Sequence, residues 1–177
     1  MSKIDTKGWR EFKIWDFFDI LKNETKLINK DLSDEWTVPV YSSLTDNNWL
    51  FWYTDKSPSY KVSDEEPFFV VFGDHTKSMH IANWNFCVMD NVKVLKPHIY
   101  DVNIVRFILT VWSASIPNLG YSRHWSIAKD SEFLLPVDKD WNPDRVYMEN
   151  YMKSLEEKCK TKLQNLILAR GGGSTPN

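Results

Sequence analysis

The chain has 177 residues, with 22 Lys and Arg against 24 Asp and Glu, for a formal net charge of −2. That length suits one domain with an appendage, and the near-balance of charge argues against a protein that holds DNA unaided, since autonomous DNA binding usually carries a strong basic excess. Fifteen per cent of the residues are aromatic, nine of them Trp, more than a core of this size requires, so some rings are expected at surfaces that bind something.

Residues 9–21 open with Trp9, Phe12, Ile14, Trp15, Phe17, Phe18 and Ile20. Phe12 and Ile14 alternate as in a short strand, and Asp16 is placed to cap a brief helical turn carrying Phe17, Phe18 and Leu21. Lys22, Lys26 and Lys30 follow at a spacing of four. On a helix they form one basic face; in a loop they form a basic arm. Trp36–Leu44 reads as a strand that Pro39 confines to an edge or a short run. Thr45-Asp46-Asn47-Asn48 is turn chemistry, and the aromatic run Trp49–Tyr53 follows it.

Pro67–Gly73, PFFVVFG, has the length and β-branching of a buried strand. Asp74–Ser78 is a polar tip, expected to be exposed, and Met79–Met89 returns as the partner strand. Asn91–Pro97 alternates as a further strand. Asp101–Trp112 opens with a capping Asp and reads as the main helix of the globular part. Ser113–Trp125 is a loop bearing Tyr121, Arg123 and His124, and Glu132–Val137 is a last strand.

Asn142–Arg170 predicts a helix of about 40 Å at about 1.5 Å per residue. Asn142 is placed to cap it, Pro143 suits its first position and Asp144 complements its dipole. Met148, Met152, Leu155, Cys159, Leu163 and Leu166 recur at steps of three and four. They form a narrow apolar stripe among charges, as expected of a helix that packs along another long helix. Residues 171–177 read as a flexible linker or a cloning remnant.

Charge is distributed unevenly. Residues 1–30 hold seven basic and five acidic side chains, residues 143–170 hold six and four, and residues 31–142 hold nine and fifteen. Phosphate attraction must then come from local patches or from a partner subunit. Cys87 and Cys159 are too few for a disulfide framework and point to a reducing compartment. MSKIDTKGWREF has no apolar signal core, and no stretch approaches the roughly 20 apolar residues needed to span a membrane, so a cytoplasmic location is expected.

No catalytic constellation emerges. His75, His80, Cys87 and His98 match no zinc spacing, and the only glycine cluster is the tail. There is no Gly-flanked Ser nucleophile, no methyltransferase motif and no nuclease-like set of carboxylates and Lys. A binding protein without catalytic residues, metal or cofactor is the expectation.

WREFKIWDFFDILK, FFVVFGDHTKSMHIANWNFCVMDNVKVLKP, YSRHW and LLPVDKDWNPDRVYMENYMKSLEEK, in that order and spacing, resemble the specificity subunit of Type I restriction-modification systems. Type IIB-like specificity subunits are also similar. The resemblance runs from about Trp9 to Arg170, and Phe72-Gly73-Asp74 carries much of it. Where members often have Gly, this chain has Lys22-Asn23 and Asn48-Trp49. Full-length members carry two target-recognition domains and two long helices paired antiparallel as a ruler, so this chain resembles a half-subunit.

The resemblance implies an α+β fold: a compact mixed target-recognition domain with a twisted β-sheet over residues 1–141, then a coiled-coil-forming helix over 142–170. It implies that the domain reads half of a bipartite site in double-stranded DNA. The helix would pair two copies and dock methyltransferase subunits, with a restriction subunit as a further partner. S-adenosylmethionine would then belong to the methyltransferase subunit only. A rod of about 40 Å is close to one DNA turn of roughly 34–36 Å. Asn47, Asn48, His75, Lys77, Tyr121, Arg123 and His124 are the expected base readers, because Asn suits adenine and Arg or Lys suits guanine. Lys22, Lys26 and Lys30 are the expected phosphate contacts. The alternative is an adaptor or antirestriction decoy that mimics such a subunit and binds no DNA.

Overall fold

A computed structural model describes residues 4–22, 25–35, 37–44, 50–120 and 122–171. In chain order the strands are β1 (Arg10–Lys13), β2 (Phe18–Leu21), β3 (Val38–Tyr41), β4 (Leu50–Thr54), β5 (Phe69–Gly73), β6 (Ser78–Ala82), β7 (Cys87–Val88), β8 (Val92–Pro97) and β9 (Glu132–Leu135). The helices are α1 (Val102–Ser115), α2 (Trp125–Ala128) and α3 (Arg145–Gly171).

The apolar run around β5 dictates the centre. All five of its residues are buried, so β5 needs a neighbour on each edge and cover on each face. It pairs antiparallel with β6 and β8, and β8 pairs with β2, giving the order β2-β8-β5-β6. Alternate side chains point to opposite faces. Val70, Phe72 and Leu95 enter the larger core beneath α1, while Phe69, Val71, Val92 and Val94 enter a second core with Tyr41, Tyr60 and Phe86. A small sheet of order β4-β3-β7 lies beyond it. Pro39 sits opposite Tyr53 of β4, and β7 pairs with β3 only at Val40 and Tyr41, so the missing proline N–H costs no pairing.

The Asp101 carboxylate accepts from the N–H groups of Asn103 and Ile104 at 2.8 and 3.0 Å and starts α1. This helix buries Ile104, Val105, Phe107, Ile108, Leu109 and Trp112. The Trp112 indole N–H donates to the Ala128 carbonyl at 3.0 Å, which ties α1 to α2. Fully burying a side chain of this size contributes about 1.5–3 kcal/mol.

The opening segment departs from the sequence expectation. The Asp16 carboxylate accepts from the Lys13 N–H at 2.8 Å and closes a 3-10 turn over Ile14–Asp16, but Phe18–Leu21 continues as β2. The free edge of β8 offers four pairing positions, and this tertiary pairing overrides the local helical signal. The short α2 was not expected either.

The long helix also starts later than expected. The Asp144 carboxylate accepts from the Tyr147 N–H at 2.9 Å, and the Asp144 carbonyl accepts from the Met148 N–H at 3.1 Å. Asp144 is therefore the cap. Asn142 is committed to a tight turn, donating its N–H to the Asp138 carboxylate at 3.0 Å. In that turn Trp141 adopts a φ of 67°, with the Arg10 guanidinium 3.7 Å from its ring centre.

The stripe of α3 divides in two. Met148 is fully buried in the larger core, and Tyr151, Met152 and Leu155 are half-buried. Tyr147 and Tyr151 set their rings edge-on to Phe107, and Arg106 pairs with Glu156 at 2.9 Å. From Cys159 onward the apolar side chains are exposed: Leu163 by 58%, Leu166 by 54% and Ile167 by 61%. Replacing Asp144 with Ala is expected to lower unfolding free energy by about 1 kcal/mol, the usual value of a lost N-cap. Asn142→Ala should change it far less; urea unfolding of both variants tests which residue caps α3.

Candidate functional site

Strand register places several loops at one end of the four-stranded sheet. Gly73 lies opposite both Ser78 and Val92, and Leu21 lies opposite Val94. The last residues of β2 and β5 and the first of β6 and β8 therefore share one edge, where Lys22 follows β2 and residues 74–77 form the β5–β6 tip.

Asp74 knots this edge together. It is only 4% exposed, not the exposed tip residue that the sequence predicts. Its N–H donates to the Asn91 carbonyl at 2.9 Å. Its carbonyl accepts from the His124 N–H at 2.9 Å and from His124 Nδ1 at 3.1 Å. Its carboxylate accepts from the Trp125 N–H at 2.8 Å. The Asn91 carbonyl also accepts from the Ser43 hydroxyl at 2.7 Å. One buried residue and one carbonyl thus bring together segments 42–44, 74–77, 89–91 and 122–125.

Gly73 makes the close approach possible. A Cβ there would lie 2.9 Å from Ser43 Cα and 2.6 Å from Ser78 Oγ. Gly73→Ala is expected to cost about 1–3 kcal/mol through overpacking. Thermal unfolding reads this loss.

Two expected base readers have other duties. His124 is 1% exposed. Its Nδ1 faces the Asp74 carbonyl and so carries the hydrogen, while Nε2 accepts from the Leu119 N–H at 3.2 Å. His124 is a clamp between two loops, out of reach of a ligand. Lys77, at a φ of 48°, donates its ammonium to the carbonyls of Ile116 at 2.8 Å and Ser113 at 3.4 Å. It neutralises the C-terminal end of α1, where carbonyls are left over and the dipole is negative. The sequence offered no sign of this use, which depends on a contact 39 residues away.

His75 is half-buried at the tip, and Arg123 is exposed beside the clamped His124. Asn47, Asn48 and Tyr121 lie outside the described residues. Lys22 and Lys26 are exposed, and Lys26 donates to the Asp90 carbonyl at 3.3 Å, next to Asn91. Leu27 bridges Met89, so this stretch is extended and not a helical basic face. Lys30 is also exposed but belongs to the 3-10 turn Asn29–Asp31, beside the small sheet. There the Lys56 ammonium, 2.6 Å away, and the Ile28 N–H hold the Asp31 carboxyl below its usual range. The edge therefore presents Lys22, Lys26 and Arg123 to solvent, with Asp74, Asn91 and His124 beneath as scaffold. The sequence reading missed Asp74 and Asn91 as anchors; the one available signal was a Gly-Asp pair directly after a buried strand.

Among the described residues, no group of three or more His, Cys, Asp or Glu is placed to hold a metal ion. None of the described helices is long and apolar enough to cross a membrane.

Burial beside Tyr41, with ring centres 5.3 Å apart, keeps the His80 imidazole below its usual value of 6.5. The folded state thus binds a proton there less readily than the unfolded chain does. This favours the fold above about pH 6.5 and is lost as pH falls through the lower folded value. His80→Gln should flatten that part of the stability curve between neutral and mildly acidic pH, as read by unfolding at several pH values.

Residues 6–130 match the Type I restriction modification DNA specificity domain. Three solved structures share the fold. A Type-I restriction-modification system S subunit from M. genitalium has a TM-score of 0.59 at 17% identity, covering 96% of this chain and 45% of its own. An HsdS subunit from Thermoanaerobacter tengcongensis has 0.56 at 15%, covering 98% and 42%. A structure describing complex assembly and conformational transition of a type I R-M system has 0.59 at 10%, covering 96% and 43%. The chain thus spans less than half the length of each of these. No curated protein matches it.

Proposed function

This chain belongs to the family of Type I restriction-modification DNA specificity domains, and we propose that it reads one half of a bipartite DNA site. Residues 1–141 act as the target-recognition unit, and the helical segment 142–170 acts as a spacer. The convergence of loops on Asp74 carries this reading. It sets Arg123 and the His75 tip on one edge, with Lys22 and Lys26 at the same end of the sheet. A rigid edge with cations at its rim has what a groove reader needs: phosphate contacts that position it and side chains that meet base edges. Asn47, Asn48 and Tyr121, which lie outside the described residues, stay among the proposed readers on their side-chain chemistry alone. Lys77 and His124 serve as supports.

The chain itself is non-catalytic, and methyltransferase subunits, docked through α3, supply S-adenosylmethionine binding and chemistry. Such partners also supply the positive field that a chain of net charge −2 lacks. The second half-site is met by a second copy, joined through the exposed far half of α3.

Methylation of a random-sequence DNA library by a methyltransferase subunit, with and without this chain, tests the reading. A sequence-restricted product is the expected result, and uniform or absent methylation overturns it. Arg123→Ala should weaken discrimination at one base pair by about 1–3 kcal/mol. Lys26→Ala should instead weaken binding to all sequences alike and lower its salt dependence. Competition binding across single-base variants, at two salt concentrations, separates the two effects.

A further inference from the structure

Strand β6 ends one side of the four-stranded sheet, and its outer edge is open. Hydrogen bonding alternates along an antiparallel pair, so one observed bond fixes the phase of the rest. The His98 N–H donates to the Phe17 carbonyl, and the Asp74 N–H donates to the Asn91 carbonyl. In the registers of β2 with β8 and of β8 with β5, both bonds turn the backbone groups of Lys93 and Leu95 toward β5, and those of Phe72 and Val70 toward β8. Phe69, Val71 and Gly73 then bond to Ala82, His80 and Ser78 of β6. The N–H and C=O groups of Met79 and Ile81 are left pointing outward, and among the described residues none hydrogen-bonds to them there.

Sheet edges are ordinarily blunted by charge, proline or cover. The Ser33 N–H donates to the Tyr53 carbonyl along β4, Leu27 bridges Met89 beyond β7, and β2 carries Asp19. The run Ser78-Met79-His80-Ile81-Ala82 holds no proline, carboxylate, Lys or Arg.

A cavity opens on each face of this edge. On the side of Met79 and Ile81, one of about 620 Å³ is walled by Arg106, Leu109, Thr110 and Ser113, which share one side of α1. On the other side, one of about 650 Å³ is lined by Tyr41, Tyr53 and Trp84 with Asn83 and Asn85. His80 borders both.

We propose that β6 takes an extended segment of a partner protein as a fifth strand of the sheet, with aliphatic side chains against α1, an aromatic side chain beside Tyr53 and Trp84, and a carboxylate at the Lys77 end. Three observations choose this occupant. Met79 and Ile81 offer two donors and two acceptors at strand spacing, which the backbone of another strand matches and a duplex or a helix does not. Successive residues of an added strand face opposite sides, so they enter the two cavities in turn. Charge sets the direction: the described residues that line the cavities include Lys77 and Arg106 but no Asp or Glu. Glu156 offsets Arg106 at 2.9 Å, whereas Lys77 meets carbonyls and keeps its charge. The site uses neither Arg123 nor Lys26 and stands apart from the DNA reading proposed above.

A fluorescein-labelled peptide Thr-Val-Tyr-Val-Thr-Glu, titrated with the full chain and followed by fluorescence anisotropy, tests the edge. Laid antiparallel, its valines lie opposite Ile81 and Met79, its tyrosine opposite His80 and its glutamate opposite Lys77. Saturable binding is the expected result. N-methylation of both valines removes the donors that face the edge and should weaken binding about tenfold. N-methylation of the tyrosine and the second threonine, whose N–H groups face away, should leave it unchanged. Equal loss from both modifications, or no saturable binding, overturns the proposal. Ile81→Pro removes one outward N–H at a place where an edge strand tolerates proline. It should keep the fold by circular dichroism and weaken the peptide severalfold; should it unfold, the two methylated peptides still decide on the unaltered chain. Displacement of the peptide by duplex DNA, or a dimer that Ile81→Pro returns to monomer, assigns the edge to nucleic acid or to a second copy and overturns the proposal.

Discussion

A buried carboxylate at the end of a buried strand is the constraint on which this molecule turns. Leaving an ionisable group at a place only 4% exposed is costly unless its hydrogen bonds are met. Asp74 meets them by recruiting two other segments: its carboxylate and carbonyl accept from Trp125 and His124, and its own N–H donates to the Asn91 carbonyl. The requirement of one residue for partners thus becomes the rigidity of an entire edge. Gly73 before it gives room for Ser43, and Asn91 beside it holds both Ser43 and Asp74 through one carbonyl. Loops that would otherwise wander are fixed relative to β5, every residue of which is buried.

The long helix shows the opposite use of apolar surface. Its first turns are part of the domain: Met148 is in the core, and Tyr147 and Tyr151 rest on Phe107. Its last turns carry Leu163, Leu166 and Ile167 into solvent. In proteins most of a helix's stability comes from packing of its apolar face rather than from intrinsic propensity. Burial at the near end anchors it, and pairs such as Glu149–Lys153 and Glu157–Lys160 support its surface.

Sequence legibility followed the range of the interactions. The apolar run that became β5, the Asp101 cap of α1 and the stripe of α3 were readable because each is written within a few turns of chain. The segment Phe17–Leu21 was misread because the free edge of β8, some 75 residues downstream, decided its conformation. The cap of α3 moved from Asn142 to Asp144 because the Asp138 carboxylate claims the Asn142 N–H. At the edge, Arg123 was legible as an exposed cation in a loop. His124 and Lys77 were not legible as supports, since a buried imidazole clamp and a helix-end strap both depend on who the distant neighbour is. The stripe on α3 was legible as apolar but not as divided, because period alone does not say which turns meet the chain's own core.

The division of that stripe has a geometric consequence for recognition. A reader is useful to a two-part site only if its angle to the spacer is fixed, because an error at the base of a rod of about 40 Å grows along its length. Here the base is braced on three sides. Met148 plugs the core, Tyr147 meets Trp9, and Arg10 lies on Trp141 in the turn before the helix. The left-handed backbone at Trp141 is uncommon for a bulky residue, and the Asp138 hydrogen bonds and the Arg10 stack over-determine it. The turn that would otherwise serve as a hinge is thereby closed. The direction in which the helix leaves the domain is then set by side-chain packing at its base.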